Sequence, residues 1–562
     1  MDLLAGTIQT ARMSAKGACV LLDNGDALQG TPVGTICANQ PPGFAHPWPD
    51  VLNALSYDAV GLGNHDFDFG VPFLERSVAQ TDAPTLCANI SSGRVVGVTQ
   101  TALLQRRVTR SDSEVRTLLV GITSVLPPST AIWNNRYLAG VLEFEAGAAA
   151  AQRAVASLQA QGADVIVLLC HSGVGLPDTD DGENFGAFLA QQVEGIDAMV
   201  LGHTHQRLPA PDGPQALNGV PVVMPGHAAE VLGQIDLHLG WTDNGWHVAG
   251  HDATLRIPQV NDNPVPLITA LAAPALAQTK TALDRTLTHC PNGFHTYFGM
   301  LKSGPSDALI AKAMTQVIAA QVAGTDLANL PLLASVAPMS MGGLGGPSNY
   351  VEVPAGPVRA RHIAMLAPFP NAIWAVVLTG ADLMCWVERS ATFFADDLQG
   401  CPRLVNPDAP AFHFDMLHGL EARIDPFAPP GFNPAGQRID RHARRVRALT
   451  HQGEPVDADA SFLVAMTSYR GAGGGNFPGL SGAREVLRTD HDLTEALHRT
   501  AMQGPPDPEL CPSVWRFAPA RHQRVVIETS PNAMAHLNEI AAFDPQEIGR
   551  NDQGFLELSV LI

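Results

Sequence analysis

The chain has 562 residues and carries 34 Lys plus Arg against 54 Asp plus Glu, for a formal net charge of −20. This length exceeds what one ordinary core accommodates and predicts two domains. The acidic balance argues against nucleic-acid polymers and anionic membranes as partners, whereas small phosphorylated molecules stay compatible with it because bound metal ions can supply positive charge locally.

Export and redox signals are weak in this sequence. No apolar stretch approaches the roughly 18–20 residues that span a bilayer, and the first residues lack a basic region followed by a long apolar core, so we expect no export signal in the chain as given. The cysteines lie at positions 19, 37, 87, 170, 290, 385, 401 and 511, without a Cys-x-x-Cys pair. Free thiols are favoured, and a Cys385–Cys401 bridge in an oxidising compartment is the alternative.

Helices alternate with apolar strands in the first half of the chain. Residues 3–16 predict a helix, and residues 18–22 predict a short buried strand that ends at Asp23-Asn24-Gly25-Asp26. Further helices are expected over 51–55 and 146–161, and further strands over 59–62, 118–122, 165–169 and 198–201. This alternation is typical of a layered α/β domain.

Four of these strands are followed by residues that can bind a metal. A lone histidine or aspartate after a strand is more often a capping or surface residue than a ligand. Ligands of open α/β sheets lie at the carboxyl ends of strands, so four cases on one edge of one sheet favour a metal site. The residues are Asp26, Asn64 with His65, His171, and His203 with His205.

The composition changes in the middle of the chain. Residues 257–266 are rich in Pro and Asn, and an Ala-rich helix is expected over about 267–285, so we predict domains at 1–285 and 286–562. The second half carries Gly-rich loops at 341–347 and 471–478. Neither is a P-loop or a dinucleotide fingerprint, and each is a tight turn or a place where backbone approaches a ligand closely.

Imidazole, carboxylate and amide donors without thiolate suit divalent Zn, Mn, Co or Fe. Two such ions about 3.5–4 Å apart can activate a water molecule and neutralise a phosphoryl group, and they need a shared anion. Asp26 is the candidate bridge. His65 is better placed as an acid or electrostatic helper than as a ligand, and Asp68 could orient its ring. Asp66 is assigned no role.

These residues resemble those of a known superfamily. Gly25-Asp26, Gly63-Asn64-His65-Asp66, His171 and Gly202-His203-Thr204-His205 are similar to successive motifs of the calcineurin-like metallophosphoesterases. The two-domain layout resembles the 5′-nucleotidase family within it. The second half resembles the bacterial 2′,3′-cyclic-nucleotide 2′-phosphodiesterase/3′-nucleotidases at Ala337-Pro338, Gly346-Pro347, Pro368-Phe369-Pro370-Asn371, Phe412-His413-Phe414-Asp415 and Tyr469-Arg470-Gly471-Ala472-Gly473-Gly474.

The resemblance implies a fold, a reaction and a set of roles. The fold is a layered metallophosphoesterase β-sandwich flanked by helices, followed by a C-terminal α/β substrate domain whose helix near 305–321 is a candidate hinge. The reaction is metal-dependent hydrolysis of 2′,3′-cyclic nucleotides to 3′-nucleotides and then to nucleoside and phosphate, by a periplasmic monomer. The rival activities are a 5′-nucleotidase or nucleotide-sugar hydrolase and a nucleotide-binding protein that no longer catalyses.

By position, the resemblance assigns Asp26 as a bridge between two metals, Asn64, His171 and His203 as ligands of one, and His205 as a ligand of the other. His65 becomes the catalytic histidine and Asp68 its partner. In the second domain Phe369 and Tyr469 would sandwich the base beside Gly343 and Gly474. The alternative for both aromatic side chains is core packing.

The sequence departs from the family in two places. The first motif, Asp-x-His, is absent, Leu4 stands where its histidine is expected, and residues 7–16 resemble the helix that follows it. An internal start codon is the preferred explanation and a degenerate protein the alternative, and we expect one metal bound well and the second poorly. In addition, Leu344 replaces an arginine expected between the glycine pairs, for which Arg470 is the candidate substitute.

Overall fold

The structure is a computed structural model. It describes residues 2–39, 46–110, 112–211, 213–243, 245–259, 263–369, 371–396, 398, 402–407, 409–480, 486–504, 513–518 and 523–562, with backbone alone at Leu344. The chain divides into two compact units, 1–280 and 281–562.

The first unit alternates helices and strands as the sequence predicts. Its helices are α1 Asp2–Ser14, α2 Pro32–Ala38, α3 Trp48–Ala54, α4 Val71–Val78, α5 Thr130–Trp133, α6 Asn135–Leu138, α7 Gly147–Ala160, α8 Gly186–Gln192 and α9 Pro266–Leu283. Its strands are β1 Leu22–Asp23, β2 Ala59–Gly61, β3 Thr85–Leu86, β4 Ile90–Ser92, β5 Val98–Thr99, β6 Thr101–Thr109, β7 Val115–Val125, β8 Glu143–Phe144, β9 Val165–Cys170, β10 Ala198–Leu201, β11 Arg207–Leu208, β12 Ala216–Leu217, β13 Val220–Pro225, β14 Leu232–Thr242 and β15 Gly245–Arg256.

Two sheets form the core of this unit. A parallel sheet has the order β1-β2-β3-β5, and a mixed sheet has the order β11-β13-β10-β9-β7-β6 with β12 beside β13. Apolar side chains of both sheets share one buried cluster, which includes Ala59 and Leu86 from the first and Ile122 and Leu169 from the second. Helices α7 and α8 cover the outer face of the mixed sheet. The predicted layered α/β sandwich is confirmed.

The prediction that four ligand-bearing strands share one sheet is wrong. Strands β1 and β2 belong to the parallel sheet, whereas β9 and β10 belong to the mixed sheet. Sheet membership depends on pairing between distant segments, which strand periodicity does not specify. The strand predicted over 18–22 is also shorter, because Leu21 hydrogen-bonds through its backbone to the side chain and amide of Asp58 and pairing begins only at Leu22.

The second unit begins with an extended segment and contains five further α-helices among its described residues. They are α10 Pro305–Val322, α11 Ala360–Leu366, α12 Gly380–Ser390, α13 Ser468–Gly471 and α14 Leu493–Gln503. The strands are β16 Thr286–Cys290, β17 Phe294–His295, β18 Leu332–Val336, β19 Glu352–Val353, β20 Gly356–Arg359, β21 Ala372–Thr379, β22 Met416–His418, β23 Glu421–Ile424, β24 Val446–His451, β25 Glu454–Pro455, β26 Ser461–Thr467, β27 Val486–Asp492, β28 Trp515–Phe517, β29 Arg524–Thr529, β30 Gln546–Arg550 and β31 Leu556–Leu561.

A five-stranded sheet organises this unit in the order β22-β18-β26-β21-β27. Helices α10, α11 and α14 pack on one face, and α12 with two smaller sheets packs on the other. Strands β18 and β26 run parallel to each other, and each has an antiparallel neighbour, β22 and β21 respectively. The loops after β18 and β26 and the loops before β21 and β22 therefore lie at the same end of the strands.

Membrane and disulfide signals can be compared with the structure only in its described part. None of the described helices is both long enough and apolar enough to cross a bilayer. Cys385 is a free thiol, while Cys401 lies outside the described residues, so the alternative Cys385–Cys401 bridge stays a prediction.

Candidate active site

The ends of strands from both sheets meet at one side of the first unit. Asn24, which follows β1, donates hydrogen bonds from Nδ2 to the carbonyl oxygens of Cys170, at 3.3 Å, and Val200, at 3.2 Å. These contacts join the end of β1 to β9 and β10. Predicted ligand residues that the structure divides between two sheets are thereby held near one another.

Asp26 and His171 form a buried pair. His171 Nδ1 lies 2.7 Å from the carbonyl oxygen of Asn24, and because a carbonyl only accepts, Nδ1 carries the proton of the neutral ring. Nε2 lies 2.8 Å from Asp26 Oδ2, and in the neutral ring it is the nitrogen that can offer a lone pair to a metal. Burial would raise the pKa of Asp26, but His171 and His65 hold it below its ordinary value. Two facing electron-pair donors of this kind fit a divalent cation.

Asn64 and His203 form a second donor pair. His203 Nδ1 lies 2.9 Å from Asn64 Oδ1, and His203 Nε2 lies 3.2 Å from Glu183 Oε1. Both partners are acceptors, so Nδ1 offers a lone pair beside the amide oxygen in the tautomer whose proton lies on Nε2, toward Glu183. Trp133 stacks on the His203 ring with centroids 5.4 Å apart. A carboxylate on the far nitrogen is the usual way in which proteins orient a metal-binding imidazole.

Glu183 and Trp133 were missed in the sequence. Glu183 ends the acidic run 178–183, which follows the strand that carries His171, and that run was the available signal. The loop is tied back to the site because Ser172 Oγ donates to the Glu183 carbonyl oxygen at 2.7 Å. Trp133 ends the short helix α5, and its position carries no periodic signal.

Two donor pairs lie near each other among the described residues. The pairs are Asp26 with His171 and Asn64 with His203, and the rings of the two histidines lie 5.8 Å apart. His205 stacks on His227 with ring centroids 4.8 Å apart, and burial lowers the pKa of His205 to about 4. The imidazole, amide and carboxylate groups gathered here are of the types that suit a divalent ion.

His65 and Asp68 form the predicted pair beside these groups. His65 Nδ1 lies 2.8 Å from Asp68 Oδ2, so Nδ1 carries a proton and Nε2 is the nitrogen that Asp68 does not use. Burial would lower the pKa of His65, but the carboxylates of Asp68 and Asp26 outweigh it and raise the pKa to about 10. Asn134 supports the turn by donating to the Asn64 carbonyl oxygen at 3.0 Å.

Asp66, for which the sequence suggested no role, organises the turn. Its Oδ2 accepts from the amides of Asp26, at 2.9 Å, and Gly63, at 2.8 Å, and its Oδ1 accepts from Ala27 and Leu28. Burial raises the pKa of this carboxyl to about 6. Four amides held by one side chain fix the two turns that carry Asp26 and Asn64, so Asp66 is a positioning residue.

Backbone strain is concentrated at the same place. Asp26, His203 and His205 have φ values of 60°, 66° and 57°, in a region that non-glycine residues seldom adopt. Such strain persists where the surrounding structure fixes it, and it is common at functional sites. Position 63 has no room for a side chain, because a Cβ there would overlap Asp26 Oδ1 and lie 2.6 Å from His171 Cε1.

We expect Gly63→Ala to weaken metal binding by about 10–100-fold, the range for changes that misplace ligands. The added methyl group must displace Asp26 or His171. Titration with Zn²⁺ and plasma mass spectrometry measure the change. The matched control is Gly17→Ala, whose Cβ meets nothing within 4 Å. Equal affinities in the two variants would contradict the placement of Asp26 and His171.

The second unit brings the predicted base-binding loops to one edge of its sheet. The Tyr469 ring lies over Gly474, where a Cβ would come 2.5 Å from the ring, so the glycine permits a flat approach. Ser468 Oγ accepts from the amide of Ala372 at 3.2 Å, which places the loop of Phe369 beside that of Tyr469. Gly343 lies in the loop after β18, at the same edge.

Arg470 is not available as a substitute for the expected phosphate-binding arginine. Its Nε and Nη2 donate to Asp415 at 2.9 and 2.8 Å, and Nη1 and Nη2 also donate to the carbonyl oxygens of Gly474 and Phe412 respectively. The side chain is 5% exposed. The suggestion failed because sequence position beside Tyr469 does not show where a guanidinium points. The side chain of Leu344 lies outside the described part of the structure.

Comparisons with known proteins cover the whole chain. The family model for the 5′-nucleotidase C-terminal domain matches residues 286–482. The 2′,3′-cyclic-nucleotide 2′-phosphodiesterase/3′-nucleotidase of Salmonella typhimurium is 29% identical over 98% of this chain and 90% of that protein. The trifunctional nucleotide phosphoesterase YfkN of Bacillus subtilis is 27% identical over 91% of this chain, which spans 36% of that relative.

A solved structure supports the fold. A protein of Staphylococcus aureus described as a proposed 5′-nucleotidase, in complex with alpha-ketoglutarate, matches with a TM-score of 0.70 at 20% identity, over 92% of this chain and 94% of that chain. The chain therefore has a 5′-nucleotidase C-terminal domain over residues 286–482 and is, over nearly its whole length, a homologue of the bacterial 2′,3′-cyclic-nucleotide 2′-phosphodiesterase/3′-nucleotidases.

Proposed function

We propose that this protein hydrolyses nucleotide phosphoesters, opening 2′,3′-cyclic nucleotides to 3′-nucleotides and then releasing phosphate, as a periplasmic monomer. The observation that carries the proposal is the His65–Asp68 pair beside the two donor pairs. The activity in the name of the Salmonella homologue supports the substrate class.

Asp26, Asn64, His171 and His203 would hold one divalent ion, and Asp26 with His205 would take part in holding another. Nitrogen and oxygen donors without thiolate fit Zn, Mn, Co or Fe. Ions bound there would supply positive charge to a phosphoryl group and acidify a bound water. We propose that the first of these sites is the stronger one in this chain.

His65 supplies a proton donor at the same place. Asp68 fixes the Nδ1 proton and favours the positively charged ring, in which Nε2 also carries a proton. A hydrogen bond from Nε2 to the phosphoryl or leaving oxygen stabilises the negative charge that develops during ester cleavage. This hydrogen bond accelerates the reaction because the oxygen is more negative in the transition state than in the bound substrate.

In the second unit we propose that Tyr469 and Phe369 stack on the nucleobase. Gly474 allows the close approach of backbone to the Tyr469 ring, and the shared edge of the sheet brings the Phe369 loop beside it. Stacking on an aromatic face is tolerant of base identity, at about 1–3 kcal/mol per base. Gly343 would contribute backbone without a side chain at this edge.

A substrate panel tests the proposal. We expect 2′,3′-cyclic AMP to be converted to 3′-AMP and then to adenosine, each faster than 5′-AMP is hydrolysed, as followed by chromatography and phosphate release. Faster hydrolysis of 5′-AMP would instead identify a 5′-nucleotidase. Failure to hydrolyse any of these compounds and bis(p-nitrophenyl) phosphate, with nucleotide still bound, would identify a binding protein.

A further inference from the structure

Two histidines and two glutamates form a cluster in the second unit that the proposed function does not use. His295 on β17 is the cross-strand partner of Glu352 on β19. His536 and Glu539 lie three residues apart in the helical segment Pro531–Phe543. The cluster therefore joins a strand pair to a helical segment that is distant in sequence.

Three of these side chains bring possible ligand atoms close together. His295 Nδ1 accepts from the Tyr297 amide at 3.3 Å, so a cation at Nε2 would move the ring proton to Nδ1 and give up that contact. Glu539 Oε1 lies 2.9 Å from His295 Nε2 and 3.3 Å from His536 Nδ1. The donor atoms of all three residues lie within 4.8 Å of one another. Tetrahedral zinc with bonds of about 2.0–2.2 Å keeps its ligand atoms roughly 3.3–3.6 Å apart. Small side-chain movements would therefore suffice to surround an ion.

The fourth side chain fixes the tautomer of His536. Glu352 Oε1 lies 3.3 Å from His536 Nε2, and a carboxylate only accepts, so Nε2 carries the proton of the neutral ring. In this tautomer Nδ1 directs a lone pair at Glu539 Oε1, and either a proton or a cation between the two atoms would satisfy both. The Tyr297 hydroxyl donates to Glu352 Oε2 at 2.6 Å and holds that carboxylate in place. Metal-binding histidines are usually oriented by such outer carboxylates.

We propose that His295, His536 and Glu539 bind a divalent ion of the zinc type, with Glu352 and Tyr297 as positioning residues. The His295 side chain is 6% exposed, whereas His536 and Glu539 are 27% and 40% exposed. The site thus has a buried wall and a side open to solvent, where water completes the four-coordinate shell. The ion would clamp the helical segment to the strand pair.

Lys302 sets a limit on the affinity of this site. Its Nζ lies 3.6 Å from Glu539 Oε2 and 3.1 Å from the Glu539 carbonyl oxygen. An ammonium group beside a ligand carboxylate opposes the charge of a bound cation. Lys302→Met should therefore tighten zinc binding, and an unchanged or weaker affinity in that variant would count against the site.

Zinc content of the full chain tests the proposal. After equilibrium dialysis against buffered Zn²⁺, plasma mass spectrometry should find about one equivalent fewer in His536→Asn and Glu539→Gln than in the unchanged protein. His238→Asn is the matched control, because His238 also faces a carboxylate, Asp252, at 2.8 Å on an exposed hairpin. Any zinc bound at Asp26 and its neighbours is the same in all these proteins and therefore does not affect the difference in zinc content between them.

Equal zinc content in the control and both test variants would overturn the site and leave a hydrogen-bonded network. Thermal melts give a second measurement. Zinc should raise the Tm of the unchanged protein and of His238→Asn by more than that of the test variants, because only a site absent from the unfolded chain adds stability. If His536→Asn misfolds by circular dichroism, Glu539→Gln, which keeps size and shape, decides the question.

Discussion

His65→Ala is expected to lower kcat on bis(p-nitrophenyl) phosphate and 2′,3′-cyclic AMP by about 10²–10⁴-fold, the usual contribution of one proton-transferring side chain. The Ala variant loses the only group of this residue that can give a proton to an ester oxygen. Its backbone amide still donates to Asp26 Oδ1, at 2.7 Å in the unchanged protein. Metal content should therefore survive, because that contact does not need the imidazole.

Three measurements separate catalysis from ligation. Metal content by plasma mass spectrometry should be the same in His65→Ala as in the unchanged protein, and loss of metal would mean that His65 is a ligand. Asp68→Asn should give a smaller loss of kcat, because the ring remains but is less firmly oriented. His238→Ala is the control, since it removes another His–Asp pair, one that lies on an exposed hairpin, and should leave kcat unchanged.

The prediction of His65 and Asp68 shows what local sequence can supply. Two residues three positions apart after a strand must lie within one turn, so a contact between them follows from spacing alone. The structure has this contact at 2.8 Å. The strand ends that carry Asp26, Asn64, His171 and His203 were predicted to share one sheet and come from two, yet the pairs Asp26–His171 and Asn64–His203 are in contact. Which of these residues bind metal stays a prediction.

Other features depend on the tertiary structure. The division into two sheets follows from strand pairing, such as Leu22 with Ala59 in one sheet and Val167 with Ala198 in the other, and no strand pattern records it. Glu183 approaches His203 from an irregular loop. Asp66 acts on four amides whose directions depend on the finished turn. The positive φ at His203 is indicated in the sequence only weakly, by the preceding Gly202.

Asp415→Asn is expected to lower the free energy of unfolding of the second unit by about 3–5 kcal/mol, the cost of leaving a buried charge without its partner. Asp415 is 1% exposed and Arg470 is 5% exposed. Asparagine keeps the volume but removes the charge that balances the guanidinium. Trp386 and Ser335 also donate to Asp415 Oδ2, at 3.0 and 2.8 Å, and an amide cannot satisfy all of these donors.

Urea unfolding of the full chain measures this effect, with a transition for each unit fitted separately because two units need not unfold together. Asp284→Asn is the control. It removes a second Arg–Asp pair of the same unit, in which Arg361 is 47% and Asp284 is 36% exposed. Exposed pairs are worth about 0–1 kcal/mol. A loss below about 1 kcal/mol in Asp415→Asn would contradict the buried charge pair.

The same substitution should weaken substrate binding, because the pair joins the loops on which base binding is proposed. Arg470 follows Tyr469, and it also holds the carbonyl oxygen of Gly474, the residue under the Tyr469 ring. Asp415 precedes β22 and is tied to β18 through Ser335. Loosening these loops affects binding in the second unit and leaves the His65 pair of the first unit intact. KM for 2′,3′-cyclic AMP should therefore rise in Asp415→Asn more than kcat falls, which is the reverse of the pattern expected for His65→Ala.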